Sequence, residues 1–157
     1  MHGRGLILVF VGALAIGAVG AGCGGDSGEV TASAEVDKPT FIKKAEAVCR
    51  GTNTRTQDGF EDLVKSKGGN PSTAFDGAGE TALATEVILP EKQRQVDELR
   101  ELTVPEADKA EFEAIVDAYQ EGIDVGEDEP KTVTSAVGVF KYAAKLAEDY
   151  GLRQCRW

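Results

Sequence analysis

Few residues of this 157-residue chain have types and spacings that could do chemistry: three cysteines, Cys23, Cys49 and Cys155, and a single histidine, His2. Cys49 and Cys155 lie far too distant in sequence for a Cys-x-x-Cys redox motif. His2 sits in a front segment with the pattern of a removable signal, which leaves the remaining chain without an imidazole. That absence excludes Ser-His-Asp and Cys-His machinery and histidine ligation of zinc, so the expectation is a protein that is not an enzyme, with a histidine-free enzyme using carboxylates, lysine or tyrosine as a third reading. Asp124, Glu127, Asp128 and Glu129 offer oxygen ligands of the kind Ca²⁺ takes. Their spacing lacks the alternating acids, glycine and twelfth-position glutamate of a Ca²⁺ loop, and they read as a solvated connection between helices. No metal or cofactor site is predicted. Tyr119, Tyr142, Tyr150 and Trp157 could line a pocket for a small apolar or aromatic ligand, although aromatics at helical spacing more often build a core.

The front of the chain reads as an address. Residues 1–22 open with Arg4, continue through an apolar stretch centred on Leu6 to Ile16, and close with small residues, the pattern of a secretory signal peptide. An uncleaved membrane anchor is the alternative. Gly5 to Gly22 is barely long enough to span, since roughly 20 apolar residues are needed, and it contains many Gly and Ala; both readings put the rest of the chain outside the membrane. The segment Gly20-Ala21-Gly22-Cys23 resembles the bacterial lipobox, with Gly20 standing where an aliphatic residue is usual. The resemblance implies cleavage before Cys23 and acylation of its sulfur with chains such as palmitate, and stable anchoring takes more than one chain. Residues 23–37 then form the lipidated cysteine and a flexible tether. About 14 small and acidic residues without a period reach roughly 20 Å.

Lipidation of Cys23 accounts for the odd cysteine, leaving Cys49 and Cys155 as the intramolecular pair in a compartment where disulfides persist; two buried free thiols are the alternative. The whole chain carries 17 Lys+Arg against 27 Asp+Glu. Removing residues 1–22 takes away Arg4 and no acid, so 16 basic residues remain and the formal charge becomes −11. Such a surface disfavours nucleic acid. Lys38, Lys43, Lys44, Arg50, Arg153 and Arg156 are expected to gather at the tethered end and Asp76, Glu80 and the 124–129 acids at the far end, a polarity that could stand the domain upright on anionic lipid. Glu101, Glu106 and Asp108 oppose it.

Residues 38–157 read as four helices. Ile42, Ala45, Cys49, Thr52, Thr56, Phe60 and Leu63 recur every three or four positions in the first, with Thr40 as its expected N-cap and Gly68-Gly69-Asn70-Pro71 as its stop. A second helix from about Glu80 to Leu102 carries Leu83, Val87, Val96, Leu99 and Leu102, and Pro90 predicts a kink or break. The third has Pro105 in its first turn, a stripe of Phe112, Ile115, Val116, Tyr119 and Ile123, and an end at Gly126 to Pro130. Val133, Val137, Phe140, Ala144 and Ala147 predict the fourth, ended by Gly151 in the left-handed conformation with Leu152 folding back. No segment alternates as a strand would. The expected fold is all-α, an up-down-up-down four-helix bundle with its second helix kinked near Pro90, preceded by signal peptide and tether.

Thr40–Cys49, Leu99–Pro105 and Tyr150–Cys155 together are similar to a loose set of small actinobacterial lipoproteins with a helical domain. That resemblance implies the lipid anchor on Cys23 and a Cys49–Cys155 bridge, and it brings no activity with it. The expected role is therefore a lipid-anchored module on the outer side of the cell membrane, interacting with another envelope protein or serving structurally. A carrier or sensor holding a small ligand between its helices is the alternative.

Overall fold

The computed structural model describes residues 36–72, 76–135 and 138–156. The signal peptide, Cys23, most of the tether, Val137 and Trp157 lie outside the described residues. All regular structure among the described residues is helical: α1 (Lys38–Ser66), α2 (Gly77–Ala82), a π-helical segment (Leu83–Ile88), α3 (Leu89–Arg100), α4 (Lys109–Asp128) and α5 (Lys141–Tyr150), with short 3₁₀ turns between. Ser33–Trp157 forms a compact unit of its own, which holds the whole described core.

α1 starts earlier than expected. Asp37, not Thr40, is its N-cap: one carboxylate oxygen accepts the Thr40 N–H at 2.9 Å and the other the Thr40 hydroxyl at 2.9 Å. These two bonds hold the Asp37 carboxyl below its ordinary pKa, the backbone bond contributing most. With Pro39 in the first turn, Thr40 serves as the donor that the cap satisfies. The inward stripe is Phe41, Ala45, Cys49, Thr52, Thr56 and Leu63, while Ile42 and Phe60 are only half-buried. Gly68 and Gly69, both at positive φ, close α1 by returning their N–H groups to Lys65 and Val64 carbonyls.

The expected interruption at Pro90 takes another form. The backbone stays right-handed helical from Ala82 through Leu89, so α2, the π segment and α3 follow one another without a break. Proline lacks an N–H and its ring crowds the carbonyl four residues earlier, and the turn ahead of it widens to relieve this: the Leu89 N–H bonds Ala84, five residues back. Leu83, Ala84, Val87, Ile88 and Leu89 are all buried in this stretch, so packing holds the helix together where its ladder is irregular.

The fourth predicted helix is much shorter than its apolar period suggested. α4 continues through Gly126 to Asp128, and Val133 lies in a turn after the 3₁₀ segment Pro130–Thr132. There the Thr132 hydroxyl bonds the Glu129 carbonyl and the Ser135 hydroxyl that of Thr132, side chains competing with the helical ladder, and Gly138 has a φ of 35°. Only Lys141–Tyr150 is regular, and Phe140, Ala143, Ala147 and Tyr150 point inward, with Ala144 half-buried. Its end is as expected. Gly151 is left-handed at φ 109°, its N–H bonds Glu148, and the Leu152 N–H bonds Ala147 at 2.7 Å, burying Leu152.

The Phe41 and Phe112 rings meet edge-on at 4.8 Å and both pack on Tyr150, bringing together the first turns of α1 and α4 and the last turn of α5. α3 packs against both α1 and α4, and α4 against α5. Gly122 allows the α4–α5 approach, because a Cβ there would stand 2.7 Å from the Phe140 ring and 3.1 Å from the Val139 carbonyl. Gly122→Ala is expected to cost about 1–2 kcal/mol, crowding outweighing the gain in helix propensity. At Gly51 a Cβ would meet only the tip of Arg55, so Gly51→Ala should gain up to about 1 kcal/mol. Urea unfolding midpoints of the two variants check this; equal shifts would show that the close approach at Gly122 is not required.

Candidate functional site

Cys155 reaches Cys49 because the chain reverses at Gly151 and turns once more over Arg153–Cys155. The two form a disulfide with Cα atoms 4.9 Å apart, well within the span such a bond bridges. α1 grips the same turn on both sides of Cys49. The Glu46 carboxylate accepts the Arg153 N–H at 3.0 Å, and the Asn53 amide donates to the Gln154 carbonyl at 2.9 Å. Both sulfurs are fully enclosed.

Behind the bridge lies a buried polar cluster contributed by α3 and α4. The Gln95 amide donates to Cys49 Sγ at 3.3 Å, and its carbonyl accepts from Lys92 Nζ at 3.1 Å. The Tyr119 hydroxyl donates to the Cys155 carbonyl. Lys92 is only 2% exposed, and its ammonium lies 5.2 Å from the centre of the Tyr119 ring and 5.6 Å from that of Phe140. Loss of hydration penalises the charged amine and brings its pKa from 10.5 down to about 8. Burial likewise pushes the Tyr119 phenol up, with Gln95 opposing weakly. An amine that releases its proton this close to neutrality is a potential base or nucleophile, and perturbed groups of this kind cluster at functional sites. Access decides the matter. A cleft of about 270 Å³ opens elsewhere between α3 and α4, with Leu99, Val104, Phe112 and Val116 inside it and Arg100 and Asp117 at its exposed margin, and it touches neither Lys92 nor Gln95.

The other candidate residues are dispersed. Tyr119 is central, whereas Tyr150 lies in the aromatic cluster with Phe41 and Phe112, and burial first, then Asp108, raises its pKa. Tyr142 is 65% exposed, away from the buried Tyr119 and Tyr150. Asp124, Glu127, Asp128 and Glu129 are exposed at the end of α4, and Asp124 accepts from Gln120 at 3.0 Å. Among the described residues, no three His, Cys, Asp or Glu side chains converge to hold a metal ion, and no helix is long and apolar enough to cross a membrane.

Lys38 is paired with Asp108 at 2.9 Å and Arg156 with Glu148 at 2.9 Å, so part of the basic end is neutralised. Lys92 and Gln95 were not anticipated from sequence. The available signal was the spacing Leu89, Lys92, Val96, Leu99, which sets a lysine at an inward position of a helical seam. Comparison of the chain with family models, curated proteins and solved structures returned no match.

Proposed function

We propose that this chain is an exported lipoprotein, held at the outer face of the cell membrane by acyl chains on Cys23, whose domain works as a non-enzymatic interaction or structural module of the envelope. The observation that carries the reading is the Cys49–Cys155 disulfide. A bond of this kind persists in an oxidising compartment, and it uses the two cysteines that remain once Cys23 is assigned to the lipid. The partner class is an envelope protein, because the −11 formal surface left after removal of residues 1–22 repels nucleic acid.

We read the domain as an up-down-up-down bundle. The aromatic contacts that join the first turns of α1 and α4 to the last turn of α5 support this order. Burial of Lys92 to 2% exposure supports an interaction role over catalysis, since solvent and substrate have little access to its amine. The cleft of about 270 Å³ favours a second reading, a carrier or sensor for a small ligand. Its volume falls just under the usual range for ligand pockets, which limits the guest to fragment size.

Intact mass of the protein recovered from the membranes of its native host, with and without reductant, tests the leading reading. The expected result is loss of residues 1–22, acyl mass on Cys23, and the gain of two hydrogens on reduction. A full-length, unacylated chain would overturn it and restore the uncleaved membrane anchor.

A further inference from the structure

Seven basic side chains on this acidic domain are paired with acids. Arg55 pairs with Glu91 and Glu98, Lys65 with Asp62, Arg94 with Glu91, Lys109 with Glu106 and Lys145 with Asp149, in addition to Lys38 and Arg156. Lys44, Arg100, Lys131 and Lys141 are exposed without an ion pair among the described residues, and so are Lys43, Arg50 and Arg153. The last three are gathered in one place. Lys43 and Arg50 stand two turns apart on one face of α1, and that face also carries Glu46 and Asn53, which hold Arg153 and Gln154 against it. The disulfide fixes the same contact. The acids beside this seam are occupied, Glu46 by the Arg153 N–H and Glu148 by Arg156. The second half of α1 instead exposes Asp58, Glu61 and Asp62, and the end of α4 exposes Asp124, Glu127 and Asp128. The strip where α1 meets the chain terminus thus carries Lys43, Arg50 and Arg153 against Glu46.

We propose that this strip, Lys43, Arg50 and Arg153, is the face that the domain lays on an anionic phospholipid surface. The proposal rests on the membrane-anchored reading. A tether of about 14 residues reaches roughly 20 Å, so anchoring already holds α1 near the headgroups and the strip has only to set orientation. Each basic residue at an anionic surface contributes about fivefold, and three together bias the orientation by about a hundredfold at low salt. The acidic regions are repelled by the same field, and both effects fade beyond a Debye length of about 10 Å at 0.1 M salt.

Cys23 is the one cysteine outside the bridge, so residues 23–157 made without lipid can be coupled through it to a maleimide phospholipid. This anchors the domain whether or not a cell acylates it, and Ser33–Trp157 is a compact unit by itself. The probe is a vesicle of phosphatidylcholine, alone or with roughly one-third phosphatidylglycerol, and the readout is the rate at which an amine reagent labels Lys43 relative to the exposed Lys131 and Lys141. The expected result is labelling of Lys43 about tenfold slower on the anionic vesicles, restored by about 0.5 M salt, with the two reference lysines unaffected. Arg50→Gln combined with Arg153→Gln should cut the protection severalfold while the disulfide stays intact by mass. Equal labelling on both vesicles overturns the proposal, as does protection that ignores salt or survives the double substitution. Missing acylation on the native protein, with this protection present, would overturn the anchor reading alone.

Discussion

Replacing Cys49 and Cys155 together by alanine is expected to lower the unfolding free energy by about 4–5 kcal/mol. The bridge closes a loop with a sequence separation of 106 residues. In the chain-entropy account a loop of about 100 residues restricts the unfolded chain by about 4.7 kcal/mol. A domain of this size is stable by about 5–15 kcal/mol in total, so the loss is more than about a quarter of its stability. Local consequences add to it. Gln95 loses the sulfur to which its amide donates, and the turn that offers the Cys155 carbonyl to Tyr119 is held only by Glu46, Asn53 and buried Leu152. Urea unfolding of the wild type with and without reductant, alongside the double variant, checks the prediction. Midpoints that coincide, with free thiols counted to confirm reduction, would show that the bridge does not constrain the fold.

Lys92→Met is expected to stabilise the domain at pH 7 by about 2–3 kcal/mol and to abolish a rise in stability that the wild type shows between pH 8 and about 10. Burial lowers the Lys92 pKa from 10.5 to about 8. In that interval the unfolded chain binds the proton that the native chain has released, so raising the pH favours folding. The full gain is about 3 kcal/mol, and it is absent below pH 8, where both states are charged. Tyr119 and Tyr150 act with the opposite sign. Their raised pKa values mean that the unfolded phenols ionise first, and stability falls as the pH passes about 10. The wild type should therefore be most stable near pH 9–10, and the methionine variant should show only the alkaline fall. Unfolding midpoints at pH 7, 8.5 and 9.5 decide it. A variant that is less stable at every pH would mean that the hydrogen bond to Gln95 and the contacts with Tyr119 and Phe140 outweigh the cost of burying charge.

Much of the helical organisation was legible in the residues themselves. The stripe Phe112, Ile115, Val116, Tyr119 and Ile123 is buried as its period requires, because one face of a helix can be dried only if apolar groups recur every three or four positions. Gly68, Gly69 and Gly151 close helices where they were expected to, since positive φ is cheap for glycine alone. The pairing of Cys49 with Cys155 followed from parity and from inward spacing on α1. These are local rules, and a sequence states them directly.

What tertiary structure decided is what local rules leave balanced. An apolar period running from Val133 to Ala147 suited one helix, yet hydroxyls at Thr132 and Ser135 and the turn at Gly138 divided it, because Val133 and Phe140 had to fill space opened by Gly126 and Gly122. Pro90 is compatible with a break or with a widened turn, and burial of five flanking apolar residues selected the second. Lysine is ordinarily a surface residue. Only the docking of the Cys155 turn beside Gln95 and the rings of Tyr119 and Phe140 around Lys92 placed that amine inside. The sequence by itself thus determined helices, their closures and the cysteine pair, each governed by groups a few residues apart or by counting. Burial of Lys92, the continuity of the helix through Pro90 and the shortened fourth helix depend on neighbours distant in the chain, and their energies exist only once those neighbours meet.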